Sequence, residues 1–158
     1  SGRPPDDTNP FTSKYLDVPV TPLFPFGHGL SYGEATLENL RLDKETYFAD
    51  EKIHTAVEII CSGNIGRRET IFFFIHDPVA SIARPVLELK RWYQIDLAPG
   101  DRKTISVTLD ADDFSFPGRD LKPTLEPGAF ELLAGFSAAP EGLLRARLHI
   151  AARPKATS

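Results

Sequence analysis

Acidic side chains are the first candidates for chemistry in this chain, which has 158 residues and 22 Asp and Glu. A glycosidase needs two carboxylates that face each other across a sugar-sized gap, and no spacing in this sequence selects such a pair. The run DADDF, Asp110 to Phe114, resembles the start of a calcium loop. Ser115 stands where that loop needs glycine, and Leu121 stands where it needs glutamate. A turn at the end of a strand is therefore the better interpretation.

The histidines and the single cysteine give no metal-ligand spacing, so we predict no metal and no cofactor. The histidines are His28, His54, His76 and His149. His54 and His149 fall on the polar faces of predicted strands, and Cys61 is expected to be a small core residue. Glycine-rich phosphate loops and serine or cysteine nucleophile motifs are absent. The sequence therefore predicts no catalytic residue.

Aromatic side chains are the remaining candidates, because their faces can stack on sugar rings. The set comprises Phe72, Phe74, Trp92 and Tyr93. Exposed aromatics would favour a carbohydrate-binding module, whereas packing in a core or on a neighbouring domain explains the same residues. We favour packing and expect no measurable binding of soluble glucans. His28, in the stretch FPFGHGLSY, is a second candidate for sugar contact, although that stretch is better interpreted as a connector.

Charge and composition exclude several classes of partner. The net charge is −4, and no basic run is longer than that at 66–68, so counterion release from nucleic acid has no basis here. No apolar run approaches the roughly 20 residues that span a bilayer. We expect neither nucleic acid nor membrane as a partner, and a homodimer stays open. The chain starts at Ser1 and lacks methionine, so we expect it to be a piece of a longer protein.

Alternation of apolar and polar residues predicts strands at 35–42, 52–61, 70–76, 86–97, 103–109, 129–136 and 143–150. Turn signals separate them, among them Ser62-Gly63-Asn64, Pro99-Gly100 and Pro127-Gly128, where glycine accepts a positive φ. Leu37 and Leu40 fall out of phase, which indicates a bulge. Seven short strands with regular turns predict an all-β, seven-stranded antiparallel sandwich.

The first 32 residues differ from the rest. Six prolines within the first 25 residues exclude helix and central strand. The same segment is too apolar for a solvated linker because it contains Tyr15, Leu23, Phe24 and Phe26. We therefore predict an extended arm at 1–32, a sandwich at 33–152 and a disordered tail at 153–158.

The run TIFFFIH, residues 70–76, is apolar on both faces. Ile71, Phe73 and Ile75 point one way, whereas Phe72 and Phe74 point the other way. If the first set fills the core, the second would be an exposed apolar patch. We therefore expect Phe72 and Phe74 to be covered by the arm or by a second copy of the chain, and we favour the arm.

Six segments together resemble glycoside hydrolase family 3, nearest in pattern to β-glucosidases of the bacterial periplasmic type. GRP and PLFPFGHGLSY resemble the end of that family's second catalytic domain. HDPVAS, RPVLELKRW, LAPGDRKTISVTL and EPGAFELLAG resemble its C-terminal fibronectin type III-like domain. The family often has Gln and Tyr at the positions of Phe72 and Phe74, and usually Gly-Phe at Arg91-Trp92. It usually has Asn-Thr-Gly at 61–63, where only Gly63 is kept.

The resemblance implies a non-catalytic domain that packs on upstream catalytic domains of the same polypeptide. Both catalytic carboxylates of the family would lie in those domains, so the fragment alone is expected to be inactive. The whole enzyme would hydrolyse terminal β-D-glucosyl residues with retention, in the periplasm or after secretion. A carbohydrate-binding module and a subunit-interface module are the alternatives.

Overall fold

The computed structural model describes residues 34–78, 87–117 and 123–153, which form ten strands and two one-turn 3₁₀ helices. The strands are β1 (Ala35–Leu42), β2 (Thr46–Phe48), β3 (Ile53–Cys61), β4 (Arg67–His76), β5 (Glu88–Leu97), β6 (Arg102–Leu109), β7 (Phe116–Pro117), β8 (Pro123–Thr124), β9 (Gly128–Gly135) and β10 (Leu144–Ala151). The 3₁₀ helices are Ala111–Phe114 and Pro140–Gly142. Within these described ranges, no helix is long and apolar enough to cross a membrane.

Two sheets form the predicted sandwich. One has the order β1-β3-β6 and the other the order β2-β10-β9-β4-β5, while β7 and β8 form a small separate pair. Neighbouring strands are antiparallel except β2 and β10, which are parallel. All seven predicted strands are present, with ends that differ from the prediction by at most three residues. The all-β sandwich class is thereby confirmed.

Side chains from both sheets fill one apolar core, as the alternation predicted. Every second residue of β3, from Ile53 to Cys61, is buried. The opposing sheet contributes alternate residues of β4, β9 and β10 to the same core: Ile71, Phe73, Ile75, Phe130, Leu132, Ala134, Leu148 and Ile150. Cys61 is a buried core residue with a free thiol, as expected. The two-residue period of the strands therefore determines which side chains enter the core.

Backbone irregularities confirm two predictions and correct two. The bulge in β1 lies between Glu38 and Arg41, where Asn39 adopts a φ of 53°, a conformation that asparagine tolerates better than most residues. Gly100 has the predicted positive φ, at 78°. Gly128 and Gly63 were wrongly assigned this role, because neither is among the described positive-φ glycines. At Gly63 an added Cβ would meet the flexible side chain of Glu34, which would have to move aside.

The sequence did not predict β2, which holds a fully buried tyrosine. Tyr47 lies beside Ile150 of β10, and its hydroxyl donates a hydrogen bond to Asp43 while accepting one of 3.0 Å from the Lys44 backbone amide. Burial, followed by the Asp43 bond, raises the pKa of Tyr47 to about 12. The same bond is the main cause that lowers the pKa of Asp43. A polar tip satisfied in this way lets the ring sit in the core.

The outer face of β4 is also covered, as predicted. Phe72 is 6% and Phe74 3% exposed, and their rings lie 6.3 Å apart. Leu133 of β9 completes this second cluster, against which Leu87, Ala138 and Leu143 pack. The arm residues named as the cover lie outside the described residues, as do the predicted boundaries at 32 and the tail after 153. The contribution of the arm therefore stays a prediction.

Replacing Tyr47 by phenylalanine should lower the unfolding free energy by about 1.5–3 kcal/mol at pH 7, the usual contribution of a hydrogen bond to a charged group. Asp43 has a lowered pKa in the folded chain, so this stabilisation is present above its unfolded value of 3.8 and disappears as the pH falls through the folded value. Urea unfolding at pH 7 and pH 3 measures both effects. Tyr93→Phe is the matched control, and equal unfolding midpoints for the two variants at pH 7 would contradict the argument.

Deleting residues 1–26 should lower the melting temperature or cause self-association, because the outer face of β4 would lose part of its cover. Calorimetry and sedimentation of the truncated chain measure the two effects. Deletion of 154–158 serves as the control, since that tail carries no comparable apolar residues. A truncated chain as stable and monomeric as the parent would show that the arm does not cover this face.

Candidate functional site

The two residues singled out for sugar contact have different outcomes. His28 lies outside the described residues. Trp92 is on β5 and is 61% exposed, and its neighbour Tyr93 is 46% exposed. Packing in the core is wrong for these two, because β5 is an edge strand with β4 as its only described partner. Packing on a neighbouring domain, the other part of that expectation, stays a prediction. Successive strand residues point to opposite faces, so Trp92 and Tyr93 cannot form one flat platform for a sugar chain.

Trp92 belongs to a row of side-chain pairs on the outer face of β4 and β5. Phe72 stands opposite Trp92, and Phe74 stands opposite Leu89, which is 37% exposed. Further along the strands, Thr70 pairs with Gln94. Along the strands, the row therefore runs from the polar pair through the aromatic pair to the pair of Phe74 and Leu89.

The polar end of this row is a salt bridge. Arg68 donates two hydrogen bonds, of 2.7 and 3.1 Å, to the carboxylate of Asp96. The hydrogen bond between the two side chains is the main cause that raises the pKa of Arg68. It is also the main cause that lowers the pKa of Asp96. Both side chains are mostly exposed, so the pair contributes little to stability. It fixes the charged end of the face instead.

A second cluster of charges lies further across the same face, on β9 and β10. His76 Nδ1 is 2.9 Å and Arg145 Nη1 3.1 Å from Glu131 Oε2, while Arg147 Nε is 3.5 Å from Oε1. The His76 hydrogen bond, followed by the charges of Arg145 and Arg147, lowers the pKa of Glu131 against the opposing effect of partial burial. Because a carboxylate only accepts hydrogen bonds, Nδ1 of His76 carries the proton. The carboxylate of Glu131 therefore stays charged and serves to hold three cationic or polar groups.

The remaining histidines fit their predicted places. His54 and His149 are exposed on outer strand faces. His54 Nδ1 lies 3.1 Å from the Thr108 hydroxyl. Across the described ranges, no three His, Cys, Asp or Glu side chains are grouped to hold a metal ion.

The acidic run at 110–114 has structural partners. It forms a 3₁₀ helix after β6, as the turn interpretation suggested. Asp110 pairs with Lys52, and this bond is the main cause that lowers the pKa of Asp110. Asp113 accepts two contacts of 2.7 Å from the guanidinium of Arg91. These carboxylates tie the helix to β3 and β5 and leave no calcium loop.

One small cleft lies at the start of β9. It has a volume of about 210 Å³ and is lined by Asp77, Glu126, Pro127, Gly128, Ala129 and Phe130. Ligand pockets are usually about 300–1,000 Å³, so this cleft is smaller than a sugar-binding pocket requires. Asp77 and Glu126 are the two carboxylates that line it.

The fold and its surface can now be compared with known proteins. Residues 69–138 match the family described as "Fibronectin type III-like domain". The chain carries a fibronectin type III-like domain of glycoside hydrolase family 3 enzymes. This confirms the family inferred from the sequence segments.

Relatives agree over most of the chain. It is 38% identical over 144 residues to the periplasmic beta-glucosidase of Salmonella typhimurium, covering 88% of this chain and 18% of that protein. A beta-xylosidase of Formosa agariphila is 33% identical over 139 residues, with 88% and 19% covered. The crystal structure of a beta-glucosidase from Listeria innocua with isofagomine superposes with a TM-score of 0.80 at 32% identity, over 97% of this chain and 21% of that one. The chain thus spans about a fifth of the length of these relatives.

Sequence reasoning missed the cluster around Glu131. Its members come from three strands that are distant in sequence and that are brought together by pairing of β9 with β4 and β10. The available signal was the alternation on β10, which placed Arg145, Arg147 and His149 on one face. No signal in the sequence placed Glu131 and His76 opposite them.

Replacing Glu131 by glutamine should lower the unfolding free energy by about 1 kcal/mol at pH 7, because charge-assisted bonds to His76 and Arg145 are lost. The pKa of Glu131 is lowered in the folded chain, so its stabilisation is present above the unfolded value of 4.5 and is lost as the pH falls through the folded value. Urea titrations at pH 7 and pH 3 compare the variant with the parent and with Glu141→Gln, an exposed control. An equal deficit at both pH values would contradict this role.

Proposed function

We propose that this chain is a non-catalytic domain of a β-glucosidase-type glycoside hydrolase, and that it packs on the catalytic domains of the same polypeptide. The observation that carries the proposal is the asymmetry of the matches: 97% of this chain corresponds to only 21% of the Listeria innocua beta-glucosidase. A domain that recurs in this way, as a small part of larger hydrolases, contributes structure to them. The catalytic portion lies in the unmatched four fifths.

The chemistry of the described residues supports the same proposal. A retaining glycosidase requires two carboxyl groups about 5–5.5 Å apart at the scissile bond. Glu131 and Asp113 are held by arginine or histidine partners, and the buried Glu69 lies beside Arg67. The cleft with Asp77 and Glu126 is small. Both catalytic carboxylates are therefore assigned to the rest of the polypeptide.

The parent enzyme is proposed to release terminal β-D-glucosyl residues with retention of configuration. The relatives named beta-glucosidase and beta-xylosidase support a β-glycoside substrate with an equatorially substituted sugar. The Salmonella typhimurium relative is named as periplasmic, which supports the periplasm or secretion as the location of this protein. Residues 1–32 are proposed to be the last part of the preceding catalytic domain.

The isolated chain should show no turnover of aryl β-glucosides, whereas the intact polypeptide that contains it should hydrolyse them. The physical reason is the assignment of both reacting carboxylates to the unmatched portion. Aryl-glucoside assays of the two proteins at equal molar concentration measure this difference.

Two outcomes would contradict the proposal. One is an intact reading frame that encodes no hydrolase portion and has no glycosidase activity. The other is turnover by the isolated chain that survives repurification and disappears in Asp77→Asn or Glu126→Gln. His54→Gln is the control for the second outcome, because His54 lies on the outer face of the other sheet.

A further inference from the structure

The two outer faces of the sandwich differ in chemistry. On the three-stranded sheet the outer face is polar, and its charges pair with one another. Arg41 Nη1 lies 3.3 Å from Glu58, and Arg102 lies 3.1 Å from both Glu38 and Glu58. None of the large apolar side chains found exposed in the described residues belongs to β1, β3 or β6. This face has the composition of a solvated surface.

The outer face of the five-stranded sheet has the opposite composition. Trp92 and Leu89 are exposed there, beside the cluster of Phe72, Phe74 and Leu133. Tryptophan is enriched among the residues that carry most of the binding energy in protein interfaces. The exposed apolar surface therefore consists of Trp92 and Leu89 at the margin of a covered apolar cluster, and neighbouring exposed apolar side chains of this kind mark an interaction site.

Arginines on the same face add a second component. Arg145 and Arg147 project from alternate positions of β10, and the side chain of Arg147 is 88% exposed. Together with Arg68 they outnumber the carboxylates that they contact, Asp96 and Glu131. These groups leave one excess positive charge on the face, although the chain has a net charge of −4.

The aromatic and basic components are close enough to belong to one interface. Strands β5 and β10 are separated by β4 and β9, so three strand spacings of about 4.8 Å place them about 14 Å apart. A protein interface of ordinary size covers about 800 Å² on each partner, which includes both components.

We propose that the outer face of the five-stranded sheet docks on the catalytic portion of the same polypeptide, with Trp92 in an apolar pocket and Arg145 and Arg147 facing an acidic patch. This rests on the proposed function, because the relatives have about four fifths of their length outside the matched region. A second copy of the chain is the competing occupant and is one outcome of the test. A sugar chain fits less well because Tyr93 points away from Trp92.

The test uses the intact polypeptide and two pairs of matched variants. Trp92→Ser and Arg147→Glu alter the proposed interface. Tyr93→Ser and Arg41→Glu alter an adjacent exposed aromatic and an exposed arginine on the other sheet. Each is measured for thermal inactivation of the intact enzyme, for the rate at which limited proteolysis releases this domain, and for the melting temperature of the isolated chain.

Docking predicts that Trp92→Ser and Arg147→Glu release the domain several-fold faster and lower the inactivation temperature, while both controls behave as the parent. The isolated chain should melt at an unchanged temperature in Trp92→Ser, because that side chain is exposed there. Arg147→Glu should lower its melting temperature slightly, because residue 147 stands opposite Glu131, so this variant is judged by the salt dependence of release. Added salt should speed release in the parent through screening of the arginines. Arg147→Glu should reduce that salt dependence.

Equal release and inactivation for interface variants and controls would overturn the proposal. A dimer of the intact enzyme that Trp92→Ser dissociates, without faster release, would overturn it in favour of a second copy. Trp92 is the only tryptophan in the chain, so saturable quenching of its fluorescence by laminaribiose would overturn it in favour of a sugar surface. Absence of β-glucosidase activity in the parent intact polypeptide would refute the proposed function, while the release measurements would still decide the docking.

Discussion

The rest of the sandwich depends on the register of β4, the strand that is buried on both faces. Ile71, Phe73 and Ile75 enter the main core, and Phe72 and Phe74 enter the second cluster. A slip of one residue would exchange these two sets. The same register places Trp92 opposite Phe72 and Leu133 beside Phe74. The position of every outer-face side chain on β5 and β9 therefore follows from the pairing of one strand.

Burial of β4 on both faces makes the domain more than a two-layer sandwich. A solvated sandwich alternates apolar and polar residues along each strand, as β10 does here. β4 instead requires additional material over its outer face, part of which is supplied by Leu87, Ala138 and Leu143. The apolar surface then continues to Trp92, where the described cover ends. A domain built in this way is suited to a position inside a larger polypeptide, because a neighbouring domain would complete the layer.

Local pattern was sufficient to predict most of the fold. Alternation located β3 and β10, and the phase change between Leu37 and Leu40 located the bulge, because each depends on residues close in sequence. Strand β2 was missed because it is three residues long and pairs with β10, about 100 residues later. The exposure of Trp92 was not predictable, because alternation assigns a residue to one face of a sheet without showing whether anything covers that face. The Glu131 cluster was invisible because it depends on the registers of three strands.

The edge of β5 explains why contact through the face is favoured over strand addition. An edge strand offers unpaired backbone groups to a partner strand. Here a register shift at Phe73 and Phe74 interrupts the ladder next to Lys90, and Arg91 reaches across to Asp113 with two contacts of 2.7 Å. A bulge, a lysine and a covering salt bridge all hinder the addition of a strand. Trp92 lies next to Arg91 on β5, and its side chain points out of the plane of the sheet. Its ring is therefore available to a partner that packs on the face of the sheet and not to a strand added at its edge.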